Sequence, residues 1–172
     1  MTECPILGMP AQCNDGKSGI KAAYWTSWDD IAGSAIDASG NVTSLTQEAS
    51  TTFKTLNLEK EDAKFTSSLG GVVTSRFFIQ KVEFMYKKLS TRNRQFVSAA
   101  ALVNGVVFVL RDWNDNFIVV GLKNGSFMEA SEGTSGQKFG EINGEQLTFT
   151  ANEPDKEYYM SSTVFGGLTV VN

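Results

Sequence analysis

SRFFIQKVEFMYKKL (75–89) alternates along its length. Phe78, Gln80, Val82, Phe84 and Tyr86 fall on one face of an extended chain, and Lys81, Glu83 and Lys87 on the other. Successive side chains on a pleated strand point to opposite sides, so a period of two marks a strand with one buried face. At about 3.4 Å per residue the run would exceed ~40 Å, which is long for a compact domain. It therefore predicts a mainly β fold with a hairpin that projects beyond its body. TTFKTLNLEK (51–60) reads as the companion strand. The polar EDAKFTSSLGGVVT (61–74), with its Gly70-Gly71 break, lies between the two. The long hairpin is expected over about 51–89.

The chain after this run changes period. In STRNRQFVSAAALVNG (90–105), Phe96, Ala99, Ala100 and Val103 follow helical spacing. Ser90 or Thr91 is suited to accept from a free N–H at the helix start, and Asn104-Gly105 to take positive φ at its end. One α-helix is expected at about 91–104, packed across an open edge or end of a sheet. GVVFVLR (105–111) and FIVVGLK (117–123) then read as strands joined by DWNDN (112–116). FMEAS (127–131) follows a KNGS turn, and SEGTSGQKFG (131–140) reads as a loop. Asn143-Gly144 carries the signal of a two-residue hairpin turn before EQLTFTA (145–151). EYYMSSTVFGGLTVVN (157–172) reads as a closing strand.

At the other end, GIKAAYWTSW (19–28) is a first strand, with Trp25 and Trp28 on opposite faces if it stays extended. Asp37, Ser39, Gly40 and Asn41 carry turn chemistry ahead of the short strand VTSLT (42–46). Residues 1–18, with Pro5, Gly8, Pro10 and Gly16, read as an extended N-terminal arm. The expected architecture is a single antiparallel β-sandwich or barrel domain over 19–172.

A chain of 172 residues is long enough to bury a core without staples. Its net charge of −4 argues against an electrostatic nucleic-acid binder, which needs a basic stripe. Lys87, Lys88, Arg92 and Arg94 form the main basic cluster and read as a solvated strand end and helix start. Cys4 and Cys13 are far enough apart in sequence for a loop-closing disulfide, but spacing alone does not show that they meet, and they are read as two thiols of a reducing compartment. The N-terminus lacks the basic and apolar regions of a signal peptide, and no run approaches the length of a membrane helix. Folding in a cytoplasm is expected.

DWNDN is the stretch most like a chemical site. Asp112, Asn114 and Asn116 stand at positions 1, 3 and 5 of a calcium loop. That loop needs Gly at position 6 and Glu at position 12, where this chain has Phe117 and Lys123. It reads as a turn. The chain contains no His, so Ser-His-Asp and Cys-His nucleophile systems are excluded, and two Cys alone do not make a zinc site. Asp29-Asp30 would face opposite ways on a strand, and Glu59, Glu61 and Asp62 lie among Lys60 and Lys64 as a solvated turn. GTSGQKFG (133–140) lacks the Gly-Lys-Ser/Thr order of a phosphate loop and opens no helix. No catalytic, cofactor-binding or metal-ligating residue is assigned, and no enzyme activity is expected.

Several blocks carry a resemblance in order and spacing. They are GIKAAYWTSWDDI (19–31), DASGNVTSL (37–45), RNRQFVSAAALVNGVVFVLRDWNDNFIVVGLKNG (92–125) and TSGQKFGEINGEQLTFTANEP (134–154). Together they resemble small virion structural proteins of tailed bacteriophages of the Bacteroidota type. The order of elements is most similar to the tail tube family. The resemblance implies a β-sandwich with a packed helix and a long hairpin, and self-assembly into stacked, commonly hexameric rings. The hairpins would line a channel through which DNA passes without sequence reading. It further implies a virion location after assembly in the host cytoplasm, contacts with other tail, neck or head proteins, and no membrane or cofactor. A neck, connector or capsid decoration protein shares the same kind of β core. A surface- or glycan-binding β-sandwich using Trp25, Trp28 or DWNDN is the alternative of a different class.

Overall fold

The computed structural model describes residues 17–59, 61–138, 141 and 143–171. The fold is mainly β, with two sheets and one main helix. Strands β1 (Ile20–Ser27), β2 (Ile31–Ile36), β3 (Asn41–Gln47) and β4 (Phe53–Leu56) come first, followed by β5 (Ala63–Val72) and β6 (Ser75–Lys87). Helix α1 (Thr91–Leu102) separates them from β7 (Val106–Asp112), β8 (Phe117–Val120), β9 (Phe127–Thr134), β10 (Gly144–Glu153) and β11 (Tyr158–Met160). A short helix α2 (Ser162–Gly166) and β12 (Val170–Val171) complete the order.

The smaller sheet has the order β5-β6-β10-β9 and is antiparallel throughout. The larger has the order β12-β4-β1-β7-β8-β11-β3-β2, antiparallel except for the joins β11–β3 and β12–β4. The two sheets pack as a sandwich. Gln80, Val82 and Phe84 of β6 and Leu147, Phe149 and Ala151 of β10 are buried, as the alternation of both runs requires. Phe84, Phe108 and Phe149 meet with ring centroids 4.9–6.3 Å apart.

The larger sheet also buries its other face. Val107, Val109, Phe117, Val119, Tyr158 and Met160 form a second core against Phe165 and Leu168 of the α2 region. This explains why VVFVLR reads as a continuous apolar run: β7 is buried on both sides. The sheet rolls around that core without closing into a barrel. Gln47, at the end of β3, reaches back to the far edge and accepts from Thr169 N at 2.8 Å.

Helix α1 begins where expected. Ser90 Oγ accepts from Asn93 N at 3.2 Å, satisfying one of the free N–H groups of the first turn. The helix runs beside β9. Leu89 approaches Gly133 at its start, and Gly105 approaches Phe127 just past its end. Phe96 reaches inward, 5.0 Å from Trp25 and 6.5 Å from Phe149.

Five local readings change, one of them β9, which runs on to Thr134 through the start of the expected 131–140 loop. The hairpin lies within the expected span, but its first strand is β5, not 51–60. Only Phe53–Leu56 of that stretch is a strand, and it belongs to the larger sheet. The polar run 61–74 became β5 because its outer face is solvated, so Lys64, Thr66 and Ser68 alternate with the half-buried Phe65 and Ser67. The hairpin turns at Val73-Thr74, and Gly70–Val72 with Ser75–Phe77 extend past the end of β10. Asn143-Gly144 is not a two-residue turn. Gly144 is the first residue of β10, paired with both Lys87 and Thr134, and the connection spans 135–143. A Cβ there would sit 2.1 Å from Tyr86 O, which accounts for the glycine. The last segment is interrupted by α2, capped by Ser161 Oγ. Residues 31–36, read only as lead-in to a turn, form β2. The arm at 1–18 falls outside the described residues except for Lys17 and Ser18, and Cys4 and Cys13 fall outside them altogether.

Candidate functional site

DWNDN closes the β7–β8 hairpin as a turn. Asp112 Oδ1 accepts the backbone N–H groups of Asn114 and Asn116, each at 2.8 Å. Its Oδ2 accepts from the Asn116 side chain at 2.9 Å. Asp115 takes φ 62 and faces Arg111 at 2.8 Å, whose hydrogen bond and charge hold its carboxyl below the usual range. Asn114 bonds both the N–H and the C=O of Lys17 at 2.8 Å. DASGN repeats the geometry: Asp37 Oδ1 accepts from Ser39 N and Asn41 N at 2.9 and 2.8 Å. Among the described residues no group of acidic side chains is arranged to hold a metal ion.

The other chemistry-bearing residues are dispersed. Asp29 and Asp30 form a 3-10 turn, and Asp30 accepts from Thr26 Oγ1 at 3.1 Å. Asp62 and Glu59 both pair with Lys87 at 3.0 Å, and their hydrogen bonds hold the ammonium above its usual pKa. In the 133–140 loop, Gln137 N and Lys138 N donate to Glu141 at 2.7 and 3.2 Å, so an acid already occupies them. Trp25 is buried under Lys54, whose ammonium sits 4.8 Å from its ring centre. Trp28 donates its indole N–H to Leu122 O at 3.2 Å. The structure does not bring Trp25, Trp28 and DWNDN together.

A cleft of about 550 Å³ opens between β4 and the junction of β6 with α1. Trp25, Leu56, Tyr86 and Phe96 line it together with Lys54, Lys88 and Arg92. The sequence-predicted basic cluster is therefore split: Lys87 is ion-paired, Lys88 and Arg92 border the cleft, and Arg94 is exposed. Burial in this region raises the Tyr86 phenol's pKa.

Where the two sheets meet at the hairpin-tip end, polar groups are buried. Glu153 is fully buried and accepts from Lys123 N and Asn124 N at 3.0–3.2 Å. Burial raises its pKa, against the opposing effect of those two N–H groups. Gln80 Oε1 accepts from Gly121 N at 3.3 Å. These contacts tie the smaller sheet to the loop that leads into β9. Sequence reading placed Gln80 on the buried face without a partner. Glu153 carried no signal, because its strand continued an alternation into what looked like a polar turn.

The most extended unpaired features are strand edges. Among the described residues β5 pairs only with β6, and β9 only with β10. Both are mostly exposed along their length. The outward face of this sheet is largely polar, with Lys64, Thr66, Lys81, Glu83, Gln146 and Thr150 on it. At the tip, Leu69, Val72 and Val73 are 56%, 67% and 82% exposed. Natural edges of this length are usually covered, charged or kinked, since unpaired N–H and C=O groups template association with another chain.

Among the described residues no helix is long and apolar enough to cross a membrane. No family model matches the chain, no curated protein matches it, and no solved structure matches its fold.

Proposed function

We propose that this protein is a non-enzymatic structural subunit of a phage virion, a tail tube protein that assembles into stacked rings. The observation that carries the reading is the four-stranded sheet with two long open edges and a polar outward face. An edge of that kind finds partners for its backbone groups when copies join sheet to sheet, and a closed ring removes the edges. Six copies would contribute roughly 24 strands. At a spacing of about 4.8 Å and a tilt of about 40°, the backbone ring is about 48 Å across. Side chains take about 5 Å from each wall, leaving a bore of about 38 Å, wide enough for a DNA duplex.

Charge supports the same reading. The net charge of −4 favours a soluble subunit before assembly and disfavours tight binding of a polyanion passing through. The outward face pairs Lys81 with Glu83 at 3.5 Å and carries hydroxyl and amide groups beside Phe77, Ile79 and Met85, a lining without a run of bases to grip phosphate. The sequence blocks that resemble small virion proteins of tailed phages cover β1, most of β3, α1, β7, β8 and β10, and the order of elements around them resembles the tail tube family.

Negative-stain electron microscopy of the purified protein, with sedimentation velocity over a concentration series, tests this. Rings or tubes with a central channel of duplex width are expected. A protein that stays monomeric at high concentration, alone and with tail or neck fractions, would overturn it.

A further inference from the structure

We infer that copies of this chain join head to tail, β5 of one copy against β9 of the next, and that Lys64 facing Glu129 and Glu132 selects that pairing. The inference rests on the self-assembly reading above and goes beyond it by naming the two surfaces and what distinguishes them.

Strand direction leaves three pairings open. β5 and β9 run in opposite directions, because β6 and β10 between them alternate. Joining β5 to a neighbour's β9 continues the antiparallel order. Joining β5 to β5, or β9 to β9, across a two-fold axis is antiparallel as well. Charge separates them. Lys64 is the one charged residue of β5, and β9 carries Glu129 and Glu132 and no base. Their heights match: Lys64 lies opposite Glu83, Glu83 opposite Thr148, and Thr148 opposite Ala130, so Glu129 and Glu132 flank the row of Lys64. They share its face, since Glu132 lies opposite Gln146 and Glu129 accepts from Thr150 Oγ1 at 2.6 Å. Among the described residues neither Lys64, Glu129 nor Glu132 forms an ion pair. A β9–β9 pairing over the full strand would set Glu129 opposite Glu132, which is unfavourable across strands, and a β5–β5 pairing over the full strand would set Lys64 opposite Gly71, with no acid to meet it.

Exposed apolar side chains also lie along these two edges. Leu69, Val72 and Val73 crown β5 at the tip end of the sheet. Phe127, 52% exposed, begins β9 at that same end, and Leu102, 88% exposed, closes α1 nearby. In the register that sets Lys64 between Glu129 and Glu132, Phe127 falls level with Thr66, so Leu69 is the tip residue nearest to it and Val72 and Val73 extend past the start of the neighbour's β9. Unlike surfaces that repeat by rotation make a heterologous, ring-closing contact.

Three proteins test this by sedimentation velocity and electron microscopy: Lys64→Glu, the pair Glu129→Lys with Glu132→Lys, and all three changes in one chain. Each of the first two, alone, is expected to need about tenfold more protein than wild type to assemble, from like charges replacing opposite ones at every joint. Mixed one to one they are expected to assemble, because each supplies the edge that the other lacks, and the triple variant assembles by itself. Unchanged melting temperatures show that the monomers fold. If wild type assembles and Lys64→Glu assembles equally well, or if the mixture fails to recover, the head-to-tail pairing is wrong while self-assembly stands. If wild type does not assemble, self-assembly falls, and this pairing with it.

Discussion

Asn116 donates its backbone N–H to Asp112 Oδ1 at 2.8 Å and its side-chain amide to Asp112 Oδ2 at 2.9 Å. Asn41 bonds Asp37 in the same way, at 2.8 and 3.0 Å. In each turn the fourth residue takes positive φ, Asp115 at 62° and Gly40 at 82°. β11 separates the two turns, with Tyr159 paired to both Ile118 and Asn41, and because β11 runs antiparallel to β8 but parallel to β3 the turns lie toward opposite ends of the larger sheet. The Asp carboxylate closes the turn by taking up the N–H groups that no ladder can reach.

This arrangement decides the calcium question. The Asp112 carboxylate is committed to four donors, and Asp115 to Arg111 and Lys21. Isothermal calorimetry with calcium is expected to show no micromolar binding. Asp112→Ala is expected to cost about 1–2 kcal/mol in chemical denaturation, through lost turn hydrogen bonds. Micromolar calcium binding abolished in that variant would contradict the turn assignment.

Gly121 holds a second junction. Its φ is 73°, and an added Cβ would lie 2.3 Å from Ser126 Oγ and 2.7 Å from Ser126 N. Gly121→Ala combines backbone strain with a clash at the loop feeding β9, and should destabilise by about 2–3 kcal/mol. Gly33→Ala, with nothing within 4 Å of its Cβ, is the matched control on an exposed strand. Its effect should stay within about 0.5 kcal/mol. Equal losses at both sites would mean that the close approach at Gly121 is absent.

Phe149 touches Phe84, Phe108 and Phe96 at the centre of the sandwich. Phe149→Ala is expected to cost about 3–5 kcal/mol by lost burial and the cavity left behind. Denaturant midpoints with unchanged slope would give the value directly.

How much of this was legible can be read from neighbouring strands. β6, β7 and β10 announce themselves, because one face or both are buried and the apolar period is strong, and α1 is marked by its Ser90 cap and by Phe96, although Ala100 is its one buried residue. β5 and β9 do not. Their side chains meet water on both sides for much of their length, so AKFTSSLGGV reads as a polar connection and FMEASEGT as a short strand running into a loop. What makes them strands is the ladder to β6 and β10, a long-range contact that local composition does not record. The edges proposed to carry the function are thus the elements that the sequence describes worst. Gly144 misled for a related reason: Asn-Gly is a strong turn signal, yet this glycine is needed where a backbone passes close to Tyr86 O. The turns at 37–41 and 112–116 were readable because their chemistry is local.

Glu153 sets a pH dependence. Its ordinary pKa of 4.5 is raised in the folded protein by burial. A raised acid pKa means that the folded state holds the proton more tightly than the unfolded one. Glu153 therefore favours folding least when ionised: its contribution falls as pH rises from about 4.5 through its folded pKa, then levels off. Asp37, Asp115 and Glu141 are shifted the other way, and their contributions are lost as pH falls below 3.8–4.5. The difference in unfolding free energy between Glu153→Gln and wild type isolates the buried group. It should move in favour of the variant as pH rises above 4.5. A difference that is flat across that range would show that Glu153 is not shifted.

The hairpin tip separates stability from assembly. Val72 and Val73 stand in solvent beyond the ladder with β10, and Leu69 lies exposed level with its last pair, so they add little to the monomer's core. Val72→Ser with Val73→Ser should change monomer stability by no more than about 0.5–1 kcal/mol, since exposed positions away from caps and cores carry small effects. The same change removes apolar surface worth about 1 kcal/mol or more for each side chain that becomes buried in a joint. A ring repeats that loss at every interface. Assembly is therefore expected to weaken steeply in a variant that melts almost as wild type does. Sedimentation and thermal unfolding on one preparation give both numbers. Parallel loss of melting temperature and assembly would place these residues in the fold; loss of assembly alone places them in the joint.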